Sequence, residues 1–422
     1  MKRLSNWFFN YTKDNSLIRD GFLLFSATMI LNFSSYLIHF YMGRVLGPSD
    51  YGILGALLSI VYFISVPFNT IQTTVTKTVS ELVVGKNYEK IKYFIKRLLR
   101  ILFLLSLGLI LIFLASVKFI SGFLGIPVNS LFVLSFFILF ALLLPITRGV
   151  LQGLQLFKKL SFTLVFEGIT KILFGYLLVR FGLGVNGAIS AIIISYIIPF
   201  VIAFYYIKFI FSSKEKSFSS KSFSYSIPVL VALSSLTAFF TVDVIVVKHF
   251  FSEILAGYYA ALSIIGKTIF FATFSITAVM FPKVSEMHTS KKDYRPLFSK
   301  SIVLILIVGG FMALFYFLFP GFIINIFFGS KYLFILPYLG KFSLFILFYS
   351  LCYIICFYNL AIRRYNFIYI LIIFNIIQIV MLNLFHQSIP EVIEVLLYLM
   401  VILFLLLFIY TKNETIHSNP GI

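Results

Sequence analysis

Seven charged side chains within or near the ends of long apolar stretches of this 422-residue chain are of types that could do chemistry there. A charge inside the hydrocarbon layer of a membrane is costly, so each one needs a partner, a water-filled cavity or a route to the surface. The excess of cations over acids favours a cavity that binds an anion, most naturally phosphate or diphosphate. The candidate anion ligands are Lys267, Lys171, Arg148, Lys77 and Lys341, and the two acids are Asp243 and Glu167.

The two acids differ in what lies near them in the sequence. Glu167 precedes Lys171 by four residues, which places both on one helix face in the order that favours an ion pair. That pair is either an internal ion pair or a cavity-facing pair that opens for substrate. Asp243 is either a cavity group, as counterion or ion-coupling site, or a structural contact to a lysine of the other half of the chain. Lys267 lies far from both ends of its apolar stretch and is the strongest single candidate for an anion contact.

The remaining cations lie nearer the ends of their apolar stretches. Lys77 can extend toward the surface, Arg148 follows Pro145 close to a helix end, and Lys341 is close to a boundary, so a structural role competes with binding for each. The sequence has no phosphate-binding glycine loop, metal-ligand cluster or serine with triad partners. We therefore expect that the protein is not an enzyme and binds neither a metal nor a cofactor. We expect Cys352 and Cys356 to have a packing role within one helix.

The elements that must position these side chains are membrane helices. Apolar and aromatic residues make up 61% of the chain and charged residues 11%, against about 25% charged in soluble proteins. Runs of about 20 apolar residues predict spanning helices. Twelve are predicted, near 18–40, 52–76, 98–117, 131–150, 161–180, 187–209, 226–248, 256–280, 300–319, 336–361, 366–385 and 392–411.

The distribution of basic residues predicts the orientation of the chain. With the N-terminus inside, the inner segments hold 25 of the 34 Lys and Arg residues, the outer connections hold five, and four fall within predicted helices. This bias places both termini in the cytoplasm. The net charge of +20 is thereby assigned to topology and to contacts with anionic lipid headgroups, and we expect no nucleic-acid partner.

An internal repeat divides the sequence into two halves. A shift of 205 residues makes nine of the thirty positions from 52 to 81 identical, among them Gly52 with Gly257 and the Val-Ser-Glu run at 79–81, whereas composition alone predicts roughly three. Six predicted helices separate the copies, so both run in the same direction, as in transporters whose halves rock around a substrate. The predicted domains are residues 1–211 and 225–422, joined by a cytoplasmic linker at 212–224.

Three runs of residues resemble a known family. Residues 43–52 (GRVLGPSDYG), 148–153 (RGVLQG), and 243–248 with 256–261 (DVIVVK and AGYYAA) are similar to segments of the polysaccharide biosynthesis transporters, the lipid-linked oligosaccharide (O-antigen-type) flippases. These belong to the multidrug/oligosaccharidyl-lipid/polysaccharide exporter superfamily. The resemblance implies two six-helix bundles around a central V-shaped cavity, and it extends over about the first 290 residues.

The resemblance implies a flippase that moves a polyprenyl-diphosphate-linked oligosaccharide across the cell membrane by alternating access, for cell-surface polysaccharide or glycoconjugate assembly. The expected partners are that lipid-linked substrate and membrane lipids, with a glycan polymerase or glycosyltransferases as further candidates, and the expected state is a monomer. An ion-coupled multidrug exporter and a membrane glycan polymerase or ligase are the alternatives. The exporter is disfavoured because residues 21–40 contain no acid for ion coupling, and the polymerase because the predicted outer connections are short. The prenol, undecaprenyl or dolichyl, stays open.

The charge bias generates a topological prediction. A cysteine introduced at Asn87 should react with an impermeant maleimide only after the cells are permeabilised, because the basic segment 86–100 is cytoplasmic. A cysteine introduced at Lys118, in a predicted outer connection, should react in intact cells. Labelling of the Asn87 variant in intact cells would contradict the orientation.

Overall fold

The computed structural model describes residues 16–84, 87–212, 215–217 and 226–417, and within these ranges the regular structure is helical, with no β-strand. The prediction of an all-α polytopic membrane protein is therefore confirmed. A π-helical turn at Val179–Leu183 joins α4 to α5, and 3₁₀ segments cover Lys208–Ser212 and Ser330–Tyr338. The α-helices are α1 Ser16–Val84, α2 Tyr88–Leu124, α3 Val128–Gly153, α4 Phe157–Leu178, α5 Gly184–Ile207, α6 Ser226–Phe250, α7 Glu253–Thr289, α8 Arg295–Leu318, α9 Pro320–Phe327, α10 Leu339–Ala361, α11 Phe367–Leu384 and α12 Ile389–His417.

The described residues contain ten helical stretches long and apolar enough to cross a membrane. Two of them, Phe22–Val83 and Phe157–Ser212, have 62 and 56 residues. At 1.5 Å per residue they are roughly 90 and 80 Å long, whereas the hydrocarbon core is about 30 Å thick. The first is broken at Gly47 and the second near Gly182, so each supplies two crossings. The described residues therefore supply twelve crossings, as the apolar runs predict.

The connection predicted at residues 41–51 is itself helical except at one residue. Gly47 has φ 74° and ψ 175°, a conformation that residues with a Cβ rarely adopt. Pro48 follows it, and proline is tolerated in a first helical turn because its missing N–H would have no partner there. The chain therefore changes direction at Gly47 without the longer loop that the composition predicts.

Four prolines lie within helices without ending them. Pro67, Pro145 and Pro199 lie inside α1, α3 and α5, and Pro228 lies in the first turn of α6. In a membrane, the carbonyl that a proline leaves without its helical partner can be satisfied by local adjustment of the helix or by a neighbouring side chain. Helical hydrogen bonding therefore continues past these prolines.

The chain divides into two compact units. The first comprises Met1–Met42 and Ile64–Ser226, and the second comprises Gly43–Phe63 and Ile227–Ile422. Helix α1 thus contributes to both units. The domain bounds 1–211, 212–224 and 225–422 stay a prediction, and most of the 212–224 linker lies outside the described residues.

In the first unit, α3 packs closely against α1 through glycine. A Cβ added to Gly149 or Gly153 would lie 2.8 Å from the Cβ of Val75 or Val79, so the two helices approach almost backbone to backbone. Small residues four apart allow such contacts between membrane helices. The surrounding core includes Val75, Val79, Ile91, Ile95, Ile146, Val150, Leu151, Leu160, Ile207 and Ile210.

In the second unit, residues that the 205-residue repeat makes equivalent lie against each other. A Cβ added to Gly52 would lie 2.7 Å from the backbone N of Gly257, and one added to Gly257 would lie 1.6 Å from the carbonyl O of Pro48. One turn further on, a Cβ on Gly55 would lie 2.7 Å from the Cβ of Ala260. The two copies of the repeat therefore meet at corresponding positions, and glycine is needed for the closest of these contacts.

Gly43 and Arg44, which precede the Gly52–Gly257 contact in the sequence, form hydrogen bonds with the segment 325–332 that follows α8. The Tyr332 hydroxyl donates a hydrogen bond to the Gly43 carbonyl at 2.8 Å. The Arg44 guanidinium donates to the carbonyls of Asn325, at 3.1 Å, and Ile326. Both carbonyls belong to the last turn of α9, where a cation is favourable because the helical dipole ends there and carbonyls lack helical partners.

We call residues 43–52 together with 253–257 and 325–332 the clasp. Tyr51 is 1% exposed and packs edge-on against the rings of Phe328 and Tyr332, with centroid distances of 5.3 and 6.4 Å. The Ser49 hydroxyl donates to a carboxylate oxygen of Glu253 at 2.7 Å. The run GRVLGPSDYG at 43–52 therefore connects the two parts of α1. It also contacts the end of α9 and the start of α7.

The close approach in the clasp predicts a matched pair of glycine variants. Gly257→Ala should lower stability by about 3 kcal/mol, because the new methyl group would overlap the Pro48 carbonyl. Gly310→Ala in α8 has open space around its Cβ, and it should be neutral or stabilising by up to about 1 kcal/mol. Thermal unfolding of both variants in detergent measures the difference. Equal melting temperatures for Gly257→Ala and the wild-type protein would contradict the contact.

Candidate functional site

Apart from Lys248, which is also buried near the end of α6, the buried charges of the described residues form two clusters, one in each unit. In the first unit, Arg148 at the end of α3 approaches Glu167 on α4, with 2.8 Å between Nη1 and Oε2. Lys171, one turn after Glu167, lies on its other side, with 3.5 Å between Nζ and Oε1. We call these three residues the Glu167 cluster. It confirms the ion pair that the four-residue spacing predicts and adds a second cation.

The two cations of the Glu167 cluster are held differently. Arg148 is 3% exposed and donates to Thr163 twice, from Nη2 to the carbonyl at 3.1 Å and from Nε to the hydroxyl at 3.4 Å. Lys171 is 13% exposed and donates to the Ser35 hydroxyl at 3.1 Å. Arg148 is therefore fixed by a fork of donors, whereas Lys171 is a point charge on a flexible stem with partial access to its surroundings.

The Glu167 cluster carries a net positive charge. Two cations share one carboxylate, and the described part of the chain gives them no second acid. An uncompensated charge inside a hydrocarbon layer is unfavourable, and an anion brought to Lys171 would neutralise it. The charge of the cluster is therefore complementary to that of an anion.

In the second unit, Asp243 on α6 faces Lys267 on α7. Their charged atoms are 4.0 Å apart, and both side chains are buried, at 0% and 4% exposure. The Tyr259 hydroxyl donates to Oδ2 of Asp243 at 2.9 Å, and the Lys267 ammonium lies 4.5 Å from the centroid of the Phe240 ring. We call these four residues the Asp243 cluster. It is electrically neutral and contains one ammonium and one carboxylate.

The partner of Asp243 differs from one of the two predictions for it. The lysine that Asp243 faces belongs to the same half of the chain, so the predicted contact to a lysine of the other half is wrong. The error arose because sequence spacing does not show which helices of a bundle are neighbours. Oδ1 of Asp243 makes no hydrogen bond, and its distance to Lys267 is longer than a hydrogen bond.

Two of the predicted cations lie outside both clusters. Lys341 pairs with Glu394 at 2.6 Å between Nζ and Oε1, and both side chains are largely exposed. Lys77 is exposed on α1. The predicted role of Lys77 and Lys341 in substrate binding stays a prediction.

The sequence does not predict the neutral partners of these charges, which are Ser35 and Thr163 beside the Glu167 cluster and Phe240 and Tyr259 in the Asp243 cluster. Charge alone selects the ionisable residues, and nothing in the sequence distinguishes these four from the many other aromatic and hydroxyl side chains. Tyr259 is a partial exception, since it lies within the AGYYAA run at 256–261. The described residues contain no group of three or more His, Cys, Asp or Glu side chains that could hold a metal ion.

Comparison with known proteins adds a family and a fold. A profile described as polysaccharide biosynthesis protein matches residues 41–337. An uncharacterized membrane protein of Methanocaldococcus jannaschii is 25% identical over 292 residues, which cover 64% of this chain and 68% of that protein.

Solved structures that align with the chain include transporters. An inward-facing multidrug resistance MATE family transporter of the MOP superfamily aligns with a TM-score of 0.75 and 12% identity, over 94% of this chain and 99% of that one. An outward-facing MATE family transporter aligns with a TM-score of 0.62 and 13% identity, over 93% and 94%. A MOP superfamily transporter from Pyrococcus furiosus aligns with a TM-score of 0.57 and 13% identity, over 92% and 93%. At these identities the likeness establishes a shared fold.

The shared carboxylate of the Glu167 cluster predicts an unequal effect of two substitutions. Glu167→Gln should destabilise the protein by about 3 kcal/mol, because two cations in the hydrocarbon layer lose their only acid. Glu394→Gln removes the acid of an exposed pair and should leave the melting temperature almost unchanged. Thermal unfolding in detergent tests both, and a Glu167→Gln protein as stable as the Glu394→Gln protein would contradict the buried network.

Proposed function

The chain belongs to the polysaccharide biosynthesis protein family and has the fold of MOP superfamily transporters, and from this premise we propose that it is a flippase. Its substrate is a polyprenyl-diphosphate-linked oligosaccharide, moved across the cell membrane for the assembly of cell-surface polysaccharide or glycoconjugate. Both termini are cytoplasmic, and the protein acts as a monomer without a cofactor or catalytic chemistry of its own.

One observation carries this proposal, which is the sharing of Glu167 by Arg148 and Lys171. The cluster has two cations and one acid, so it carries a net charge of one unit in a layer where charge is unfavourable. A diphosphate is the group of the proposed substrate that supplies several negative oxygens, and it is carried on a lipid tail that keeps the molecule in the membrane. The net charge of the cluster and that of the headgroup are therefore complementary.

The geometry also makes Lys171 the cation that can leave Glu167. If Lys171 turns toward a phosphate, Glu167 keeps its 2.8 Å contact with Arg148 and is not left without a counterion. Arg148 is held by Thr163 and stays in place. We therefore assign Lys171 as the phosphate contact and Arg148 as the residue that positions Glu167, while Lys267 is the corresponding cation of the second unit.

Movement of the substrate follows from the repeat. Two similar halves with no nucleotide-binding motif favour alternating access driven without ATP hydrolysis, with the predicted domains rocking against each other. The diphosphate and the sugars travel through the protein while the prenyl tail stays in lipid. Lys171 in the first unit and Lys267 in the second each offer the headgroup a positive charge.

A multidrug exporter of the same superfamily is the main alternative, because multidrug transporters have the same fold. An exporter of organic cations needs an acid that is available to the drug. In this chain Glu167 has two cations, and Asp243 faces Lys267 and accepts from Tyr259. The charge of both clusters therefore favours an anionic substrate over a cationic one.

A transport assay with a matched pair of lysine variants tests the proposal. Lys171→Ala should lower the rate of flipping of a fluorescent polyprenyl-diphosphate disaccharide in proteoliposomes by about tenfold or more, because one charge-assisted contact to phosphate is lost. Its melting temperature should stay near that of the wild type, since Arg148 still pairs with Glu167. Lys118→Ala, at an exposed position near the end of α2, is the control and should flip at the wild-type rate.

The same proteoliposomes distinguish the alternatives. Transport of an organic cation with no movement of the diphosphate lipid would identify a drug exporter. Elongation of the disaccharide would identify a polymerase. Flipping at the wild-type rate by Lys171→Ala would show that the Glu167 cluster does not bind the substrate.

A further inference from the structure

The two clusters differ in what happens to the acid when the lysine leaves it. In the Glu167 cluster the acid retains Arg148, so the lysine can move away without leaving a lone charge. In the Asp243 cluster the described residues provide a single cation for the acid, which is Lys267. If Lys267 turns toward a phosphate, Asp243 becomes a carboxylate without a counterion in a buried position inside the membrane.

A buried carboxylate that loses its counterion is strongly favoured to take up a proton, because the neutral acid needs far less solvation than the anion. The place for that proton is present. Tyr259 donates to Oδ2, whereas Oδ1 makes no hydrogen bond and points toward the ammonium at 4.0 Å. Protonation at Oδ1 keeps the Tyr259 hydrogen bond intact.

The ammonium of Lys267 is also held weakly enough to leave. Its distance to Oδ1 exceeds that of a charge-assisted hydrogen bond, and its other contact is the face of the Phe240 ring. A phosphate offers shorter and stronger contacts than either of these. The arrangement is therefore an ion pair that an anion can separate.

We infer that the Asp243 cluster couples substrate binding to proton uptake, so that one proton is bound at Asp243 for each diphosphate that takes Lys267. The inference rests on the proposed function and specifies a proton as the second ligand of the same transporter. In this step an O–H bond forms at Oδ1 of Asp243, and the proton comes from water or a buffer acid, with no change in oxidation state. The negative charge of the diphosphate takes the place of the aspartate charge as the counterion of Lys267.

In this step Lys267 stays an ammonium, and the other ionisable groups around Asp243 do not titrate between pH 7.5 and 9. The ionisable residues that interact with it are Lys267 and Tyr259, both on α7. Two further tyrosines pack against the neighbouring Phe240 ring, which are Tyr62 on α1 and Tyr349 on α10. Tyrosines lose their protons only near pH 10, and a phosphate monoester loses its last proton near pH 6, so between pH 7.5 and 9 neither accounts for proton uptake.

Calorimetric titration of the full chain in detergent tests the inference, with farnesyl diphosphate as the probe. Titration in two buffers of different ionisation enthalpy counts the protons taken up, and we expect about one per bound probe. By linkage, the Kd should rise about tenfold for each pH unit between 7.5 and 9. Asp243→Asn should bind with no proton uptake and a Kd independent of pH, because the amide cannot ionise.

Two further variants separate the possible outcomes. Glu215→Gln, in an exposed pair with Lys96, is the matched acid control and should still take up one proton. In Lys171→Ala the proton uptake per probe bound at Lys267 should be unchanged, because Glu167 retains Arg148. Wild-type binding with no proton uptake would overturn the inference and leave the flippase proposal standing, whereas the absence of probe binding would overturn both. The wild-type proton count decides the question even if Asp243→Asn does not fold.

Discussion

A charged side chain in the hydrocarbon layer has no water to solvate it, so the protein itself must supply the counter-charge. The two buried clusters meet this constraint in different ways. The Glu167 cluster places one acid between two cations and fixes one of them, Arg148, by hydrogen bonds to Thr163. The Asp243 cluster uses one acid, one cation and two aromatic rings. The number of cations per acid then decides whether the acid still has a counterion when a lysine moves away from it.

The runs of residues that carry the family resemblance serve mostly to bring backbones together. In RGVLQG, Gly149 and Gly153 allow α3 to approach α1, and in GRVLGPSDYG, Gly52 meets Gly257 across the clasp. Of the charged residues of the two clusters, Arg148 and Asp243 lie within these runs, whereas Glu167, Lys171 and Lys267 lie outside them. The runs therefore include the residues of the closest helix contacts but only part of the buried charge.

The sequence predicts the helices of this protein well, because apolar length is a local property. It also predicts the Glu167–Lys171 pair, since four residues bring side chains together on one helix whatever the rest of the chain does. The contacts of Arg148 with Glu167 and of Asp243 with Lys267 join different helices, and they depend on packing that spacing does not reveal. The helical path through residues 41–51 escaped prediction because a Gly-Pro pair is typical of a turn. The short helix α9 escaped it because its eight residues are too few to span a membrane.

The contact between Gly52 and Gly257 also bears on ancestry. Two corresponding residues that touch are what a symmetric dimer of a single ancestral half would have at its two-fold axis, where each residue meets its own copy. In such a dimer any substitution appears on both sides at once. Fusion of the two genes removes that restriction, and the repeat shows its effect: the position of Lys267 is held by Tyr62 in the first copy, and that of Tyr259 by Leu54. The two halves thus share the glycine contact while each has its own arrangement of charge.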